Sequence, residues 1–257
     1  MRFCCLGSGS EGNSLVVETD LGIKTKILVD CGLKFDVLEE RLSDRKVLAS
    51  EIDGIFITHE HGDHIRSASK FARTYEIPLF MTHGSFYASR DNFKKIKSLS
   101  FLRSDKIQTL NGFKILPFSV PHDAREPVAL VFQDLKHRLG ILTDAGSITP
   151  HITKTLSKLD GLILEFNYEP NMLKKSKYPS ILKKRISSQF GHLSNNAATN
   201  LLKEIYHEKM QVIVAAHLSQ KNNTPELVDC ILNRVLRDSV KIVIAGQSEP
   251  TGWINLT

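Results

Sequence analysis

The stretch IFITHEHGDHI, residues 55–65, decides how this chain is read. An apolar run gives way to three histidines and an aspartate within six positions: His59, His61, Asp63 and His64. At neutral pH, crowded imidazoles serve proton transfer or metal binding. Other segments discriminate between the two. KILVD ends at Asp30, GIFIT runs into His59, LPFSVP into His122, LGILT into Asp144, LILE ends at Glu165, and VIVAA runs into His217. Ligand sites in α/β proteins gather at the C-terminal ends of strands, where rigid backbone positions side chains. One histidine after one strand would read as an ordinary core or surface residue. Six such residues beside the cluster read as one shared site.

A metal accounts for this collection. Imidazole nitrogen and carboxylate oxygen suit zinc, manganese or iron. The cysteines, Cys4, Cys5, Cys31 and Cys230, have no CxxC spacing and read as buried reduced thiols, so they are not expected to bind zinc. Cys4 and Cys5, being adjacent in a strand, are expected on opposite faces. The cluster with His122, Asp144 and His217 is sufficient for two ions sharing a carboxylate. Such pairs, ~3.5–4 Å apart, are common in hydrolases of phosphate esters. Two divalent ions are therefore expected, zinc first, with manganese or iron as alternatives.

The surrounding chain is that of a globular protein. Its 257 residues are 41% hydrophobic and 24% charged, with a net charge of +6 that permits an anionic partner without requiring one. The apolar runs are too short to cross a bilayer, and the N-terminus has no signal-peptide pattern, so a cytoplasmic location and no membrane contact are expected. Strand-like segments recur: SLVVET, KTKILVD, DGIFIT, IPLFMT, FKILPFSV, VALVFQD, LGILTD, DGLILEF, MQVIVAAH and KIVIAG. Helical periodicity appears over 33–48, 64–75, 195–207 and 225–236. QDLKHRLG reads as a hairpin, and TGWINL as a closing strand. Many strands are apolar throughout and should be covered on both faces. With no repeat or linker evident, residues 1–257 read as one α/β domain, with two mixed sheets packed between helices.

THEHGDH, with the later His122, Asp144 and His217, resembles the metallo-β-lactamase superfamily of dinuclear hydrolases, over nearly the whole chain. The resemblance implies a four-layered αββα sandwich with metals at the sheets' edge. It also implies that His59, His61 and His122 hold one metal and that Asp63, His64 and His217 hold the other. Asp144 would bridge them, and Asp30 would support the site from behind. Three further stretches, LGSGSEGNS (6–14), GHLSNNAA (191–198) and AHLSQKNNTPE (216–226), resemble the YycJ/VicX (WalJ) family within that superfamily. The opening LGSGS departs slightly from the LASGS frequent there. This likeness implies DNA hydrolysis, in particular 5′→3′ exonuclease activity.

Three features of the chain bear on substrate. With the metal ligands assigned, Glu165 and His192 are left to orient and deliver a proton to the leaving oxygen, as similar motifs do in related nucleases. The alternative is that His192 caps the helix beginning near Ser194 while Glu165 pairs with a lysine. The stretch 171–203 carries Lys174, Lys175, Lys177, Lys183, Lys184, Arg185 and Lys203 and no acid. It reads either as a solvated face or as a surface that tracks phosphates through Lys183, Lys184 and Arg185. Tyr178 and Phe190 could stack on bases or pack in the core. In GSGSEGNS, the amides of Gly7, Gly9 and Gly12, with Ser8, Ser10 and Asn13, suit either an anion or a tight turn.

The expected function is thus a metal-dependent phosphodiesterase or nuclease with Asp63, Glu165 and His192 in catalytic roles. Its partner is a nucleic acid, DNA ahead of RNA, with no obligate protein partner evident. A small-nucleotide or cyclic-nucleotide phosphodiesterase and a thioester or lactone hydrolase are the rival enzymes. A non-catalytic binding protein that keeps metal for folding is the third class, disfavoured because structural zinc needs only four ligands.

Overall fold

The computed structural model describes residues 1–19 and 23–257. Six strands lie side by side in chain order: β1 (Arg2–Gly7), β2 (Ser14–Thr19), β3 (Thr25–Val29), β4 (Gly54–Phe56), β5 (Leu79–Thr82) and β6 (Leu99–Leu102). A second sheet contains β7 (Gln108–Leu110), β8 (Phe113–Ser119), β9 (Val128–Gln133), β10 (Arg138–Leu142), β11 (Gly161–Glu165), β12 (Val212–Ala216) and β13 (Lys241–Ile244), also in chain order. The closing strand expected from TGWINL, β14 (Ile254–Asn255), pairs antiparallel with β1. Among the described residues each sheet therefore has seven strands. Both are mixed: antiparallel through β1–β3 and β7–β10, then parallel through β3–β6 and β10–β13.

The helices are α1 (Phe35–Asp44), α2 (Gly62–Ile65), α3 (Ala68–Thr74), α4 (His83–Phe93), α5 (Pro150–Thr155), α6 (Pro170–Lys175), α7 (Ser180–Ile186), α8 (Asn195–Ile205) and α9 (Pro225–Val235). Alternation along the strands sorts side chains into three apolar layers. Phe3, Cys5, Val17, Ile27, Phe56, Phe132, Ile163 and Val214 fill the space between the sheets. Cys4, Leu6, Val16, Leu28 and Ile55 face outward against Leu38 and Leu42 of α1 and Phe71 of α3. Leu162, Leu164, Ile213 and Ala215 face α8 and α9 through Leu201, Leu202, Val228 and Leu232. Strands buried on both faces need no polar alternation, which is why they read as apolar throughout. Helix, sheet, sheet and helix form the αββα sandwich. Phe56 stacks on Phe80 (4.4 Å) and meets the edge of Phe132 (6.3 Å); each such buried side chain contributes about 1.5–3 kcal/mol.

Two expectations are corrected, and several short elements had not been expected. Cys230 lies exposed on α9, whereas the other three thiols are buried. The periodic stretch 64–75 is not one helix: Ser67 interrupts it, its amide donating to Cys31 O and its hydroxyl to Leu33 O. Short β6 and β7 and the helices α4–α7 had no clear pattern in the sequence, because few of their side chains reach the core.

Candidate metal centre

Within each sheet, β3 and β4, or β8, β10, β11 and β12, run in one direction, so their C-terminal residues meet at one edge of the sandwich. Asp30, His59, His122, Asp144, Glu165 and His217 are all buried there. Three of them sit on a sharp reversal that the sequence did not reveal. Asp30 (φ 57°), Asp144 (φ 57°) and His217 (φ 56°) occupy the left-handed region just past β3, β10 and β12. Asp and His visit this region more readily than most residues, but it remains strained, and strain of this kind clusters at functional sites.

The loop 59–64 is held from behind. Thr58 N and Thr58 Oγ1 donate to the two oxygens of Asp30 (both 2.9 Å), and His64 Nδ1 lies 2.8 Å from Asp30 Oδ2. Asn13 N donates to Asp63 O (2.8 Å), while Asn13 Nδ2 reaches Asp63 Oδ2 (3.3 Å) and His64 Nε2 (3.1 Å). Gly32 is required here, since a Cβ at this position would lie 1.6 Å from Asp63 O.

Among the described residues, four overlapping groups of side chains offer metal-ligating atoms within 4.8 Å of one another: His59, His61 and His122; Asp63, His64 and His217; His59, His64 and Asp144; and Asp144, Glu165, His192 and His217. The first two match the sets that the sequence resemblance implies. Asp144 lies between them, with Oδ2 3.2 Å from His64 Nε2 and Oδ1 3.6 Å from His217 Nδ1 and 4.0 Å from His122 Nε2. Among the described residues, His59 Nε2 and His217 Nε2 are buried without a hydrogen-bond partner, and Asp144 Oδ2 accepts no hydrogen bond. Buried polar atoms are rarely left so; three at one point fit divalent ions as their missing partners. The other ring nitrogens are engaged: His122 Nδ1 with Gly191 O (3.0 Å), His61 Nε2 with Asp123 O (3.2 Å) and His217 Nδ1 with Glu165 Oε1 (3.2 Å). Such outer bonds fix the tautomer and leave the inward nitrogen as ligand.

The protonation pattern suits cations in part. Burial holds His59 well below its usual range, and His122 below its own, so both stay neutral. Burial opposes the charge on Asp144, yet His217 and His64 outweigh it and hold the carboxyl well below the usual range. Burial likewise opposes charge on His217, but Asp144 above all pushes it up to about 10. An ion bound there would displace that proton, as metal binding to imidazole generally does.

Glu165 is fully buried and has four partners. Its Oε1 meets His192 Nδ1 (2.7 Å) and His217 Nδ1, while Oε2 accepts from Ala145 N and Leu193 N (both 3.1 Å). It is thus not a lysine partner. The cap of α8 is Ser194, whose side chain accepts from Ala197 N. Burial opposes charge on His192, and Glu165 overcomes it, raising the imidazole above its usual value.

The remaining expected residues are placed differently. Ser8 Oγ accepts from His217 N (2.7 Å), and Gly9 N donates to Asn13 Oδ1, so the glycine turn faces the site from within the fold. Gly12 N also bonds inside the turn, to Gly9 O, and Ser10 is exposed. Arg185 binds Asp123 Oδ2 (2.5 Å) beside His122, Lys183 Nζ donates to Lys174 O (2.8 Å), and Lys184 is exposed. Tyr178 is half-buried and Phe190 exposed. Gly146 and Gly191 allow this stretch to approach the Asp144 loop: a Cβ on Gly146 would lie 2.4 Å from Gly191 N. Asp123 and Asn167 went unnoticed in the sequence, though each adjoins a quoted motif. Partial burial opposes the charge on Asp123, and Arg185 offsets it, holding the carboxyl below its usual range. Asn167 Nδ2 donates to His217 O (2.9 Å).

Residues 25–215 match the family described as the beta-lactamase superfamily domain. The chain is 30% identical over 241 residues to "Exodeoxyribonuclease YycJ" of Bacillus anthracis, covering 93% of this chain and 90% of that protein. It is 31% identical over 230 residues to "Exodeoxyribonuclease WalJ" of Streptococcus pneumoniae, covering 88% and 84%. Among solved structures, the metallo-β-lactamase fold protein YhfI of Bacillus subtilis superposes with a TM-score of 0.76 at 17% identity, over 97% of this chain and 98% of that one, a likeness of fold.

Proposed function

The chain belongs to the metallo-β-lactamase superfamily and its YycJ/WalJ branch, and from that premise we propose that it is a DNA exonuclease using two divalent ions. At the coarser level it is a metal-dependent hydrolase of that fold. The observation that carries the finer reading is the pair of ligand groups on either side of Asp144, with a carboxylate-bound histidine next to them. His59, His61 and His122 would hold one ion and Asp63, His64 and His217 the other, with Asp144 between. Bound there, two ions supply an activated water and neutralise charge developing on the phosphate.

The chain's own groups do the rest. Asp63, partly exposed and held by Asn13, accepts a hydrogen bond from the attacking water. His192 keeps Nδ1 on Glu165, which leaves Nε2 to give a proton to the departing sugar oxygen. Glu165 positions His192 and His217 together, coupling the acid to the ligand set. The names of the relatives support DNA and removal from an end; attack from the 5′ end follows from the resemblance of the sequence motifs. Protein freed of metal and reconstituted with zinc or manganese, tested on end-labelled DNA, RNA and an acyl thioester, checks the reading. Release of nucleotides from the 5′ end of DNA is expected. Thioester cleavage with intact DNA would replace the proposal by an acyl hydrolase.

A further inference from the structure

The sequence drew attention to the basic stretch 171–203, and a second cationic surface of the fold lies elsewhere. A groove of about 730 Å³ opens between α3 and the C-terminal end of α4 and reaches the metal loop at Glu60 and Gly62. Arg66, Lys70 and Arg73 line one wall at helical spacing, and Lys94 and Lys95 line the other. All five are exposed. The carboxylates on the same wall are Glu60 and Asp91, and both are engaged. Glu60 accepts from Arg125 N (2.7 Å) and Ser85 Oγ (3.0 Å), and Asp91 pairs with Lys94 (2.5 Å).

Resting on the nuclease reading above, we propose that this groove binds the phosphodiester backbone of the polymer beyond the cleaved bond. Like charges around a concavity repel one another and focus a positive potential that favours a polyanion over small counterions. Within α3, Lys70 and Arg73 stand one turn apart, a rise of roughly 4.5 Å that brings both to the same side of the groove. At the metal loop, a Cβ built on Gly62 meets nothing within 4 Å, so the groove is open where a strand would pass into the site. On the other cationic flank, Arg185 is bound to Asp123 and Lys183 reaches a helix carbonyl. Scattered between positions 66 and 95, the groove's cations make no charge run; the packing of α3 beside α4 collects them.

The test compares the wild type with the triple variant Arg73→Gln, Lys94→Gln and Lys95→Gln, which leaves Arg66 and Lys70 on their protein partners, Glu11 O and the Phe35 ring. Metal-loaded proteins are assayed on a long single-stranded oligodeoxynucleotide and on a chromogenic phosphodiester across a salt series. Polymer kcat/KM is expected to fall about 10-fold or more at low salt, and the slope of log affinity against log salt to become shallower by up to ~2. Turnover of the chromogenic diester and the melting temperature should stay unchanged. An unchanged salt slope, or equal losses on polymer and diester, overturns the groove while the nuclease reading stands. A wild type that cleaves the chromogenic diester and neither binds nor degrades polymer brings down both.

Discussion

The two halves of the metal centre are built in opposite ways. The N-terminal half places His59, His61, Asp63 and His64 on a single loop, closed over a few residues and pinned by Asp30, Thr58 and Asn13. The C-terminal half gathers Asp144, Glu165, His192 and His217 from four separate segments. Parallel register aligns them, with Leu142 opposite Leu164 and Glu165 opposite Ala216. A loop of contiguous ligands costs little chain entropy to close, whereas ligands far apart in sequence come together only when the sheet has formed. The difference predicts that the first half tolerates local damage locally, while damage to the second spreads.

The largest effect is expected at Asp144, whose carboxylate lies near both ligand groups. Asp144→Ala should strip metal from both positions and reduce turnover to near the uncatalysed rate, while His61→Ala, at the more exposed end of the loop, should lose metal from one position only. Elemental analysis of the purified variants distinguishes them; equal metal loss would erase the contrast between halves.

Next comes His192→Ala, which removes the proposed proton donor; its ring stacks on His217, and its Nδ1 lies 3.5 Å from Asp144 Oδ1. Turnover on DNA should fall by about 10²–10⁴-fold with metal content unchanged. A diester with a nitrophenyl leaving group, which departs without a proton, should be affected far less. Metal loss in this variant would make His192 a ligand.

A smaller effect separates the supports. Asp30→Asn swaps the acceptor at His64 Nδ1 for an amide and should weaken metal affinity about 10–100-fold at the position served by His64. Glu165→Gln disturbs four partners at once and should affect both turnover and affinity. Competition with a chelator during titration reads the difference. If Asp30→Asn weakened both ions equally, the N-terminal loop would not be the local unit described.

The smallest is Ser8→Ala. It leaves the buried His217 N–H without its acceptor, so stability should drop by about 1–3 kcal/mol in urea denaturation. KM for DNA should not move. A raised KM with unchanged stability would return Ser8 to a contact with substrate.

Much of this contrast was legible before any fold was known. The loop 59–64 is local, so its spacing stands in the chain as written, and apolar strands ending in acids or imidazoles announced Asp144, Glu165 and His217. Strands apolar at every position pointed to two sheets covered by helices on both faces, and the resemblance of the motifs implied the αββα order. Less was visible where a residue's partner is remote. Nothing near Asp123 announces Arg185, and nothing near Ser8 announces the amide of His217.

What the sequence by itself determined is the set of candidate ligands and the type of layer each strand enters, since both depend on residue type and short-range period. Only the tertiary structure decided how the two halves face each other, which histidine nitrogen turns inward, and the left-handed turns at Asp30, Asp144 and His217. It also brought Arg66, Lys70, Arg73, Lys94 and Lys95, scattered through the sequence, around one groove between α3 and α4. The reason is physical. Coordination geometry and electrostatic potential depend on distances through space, and those are set by sheet register and helix packing between residues far apart in the chain.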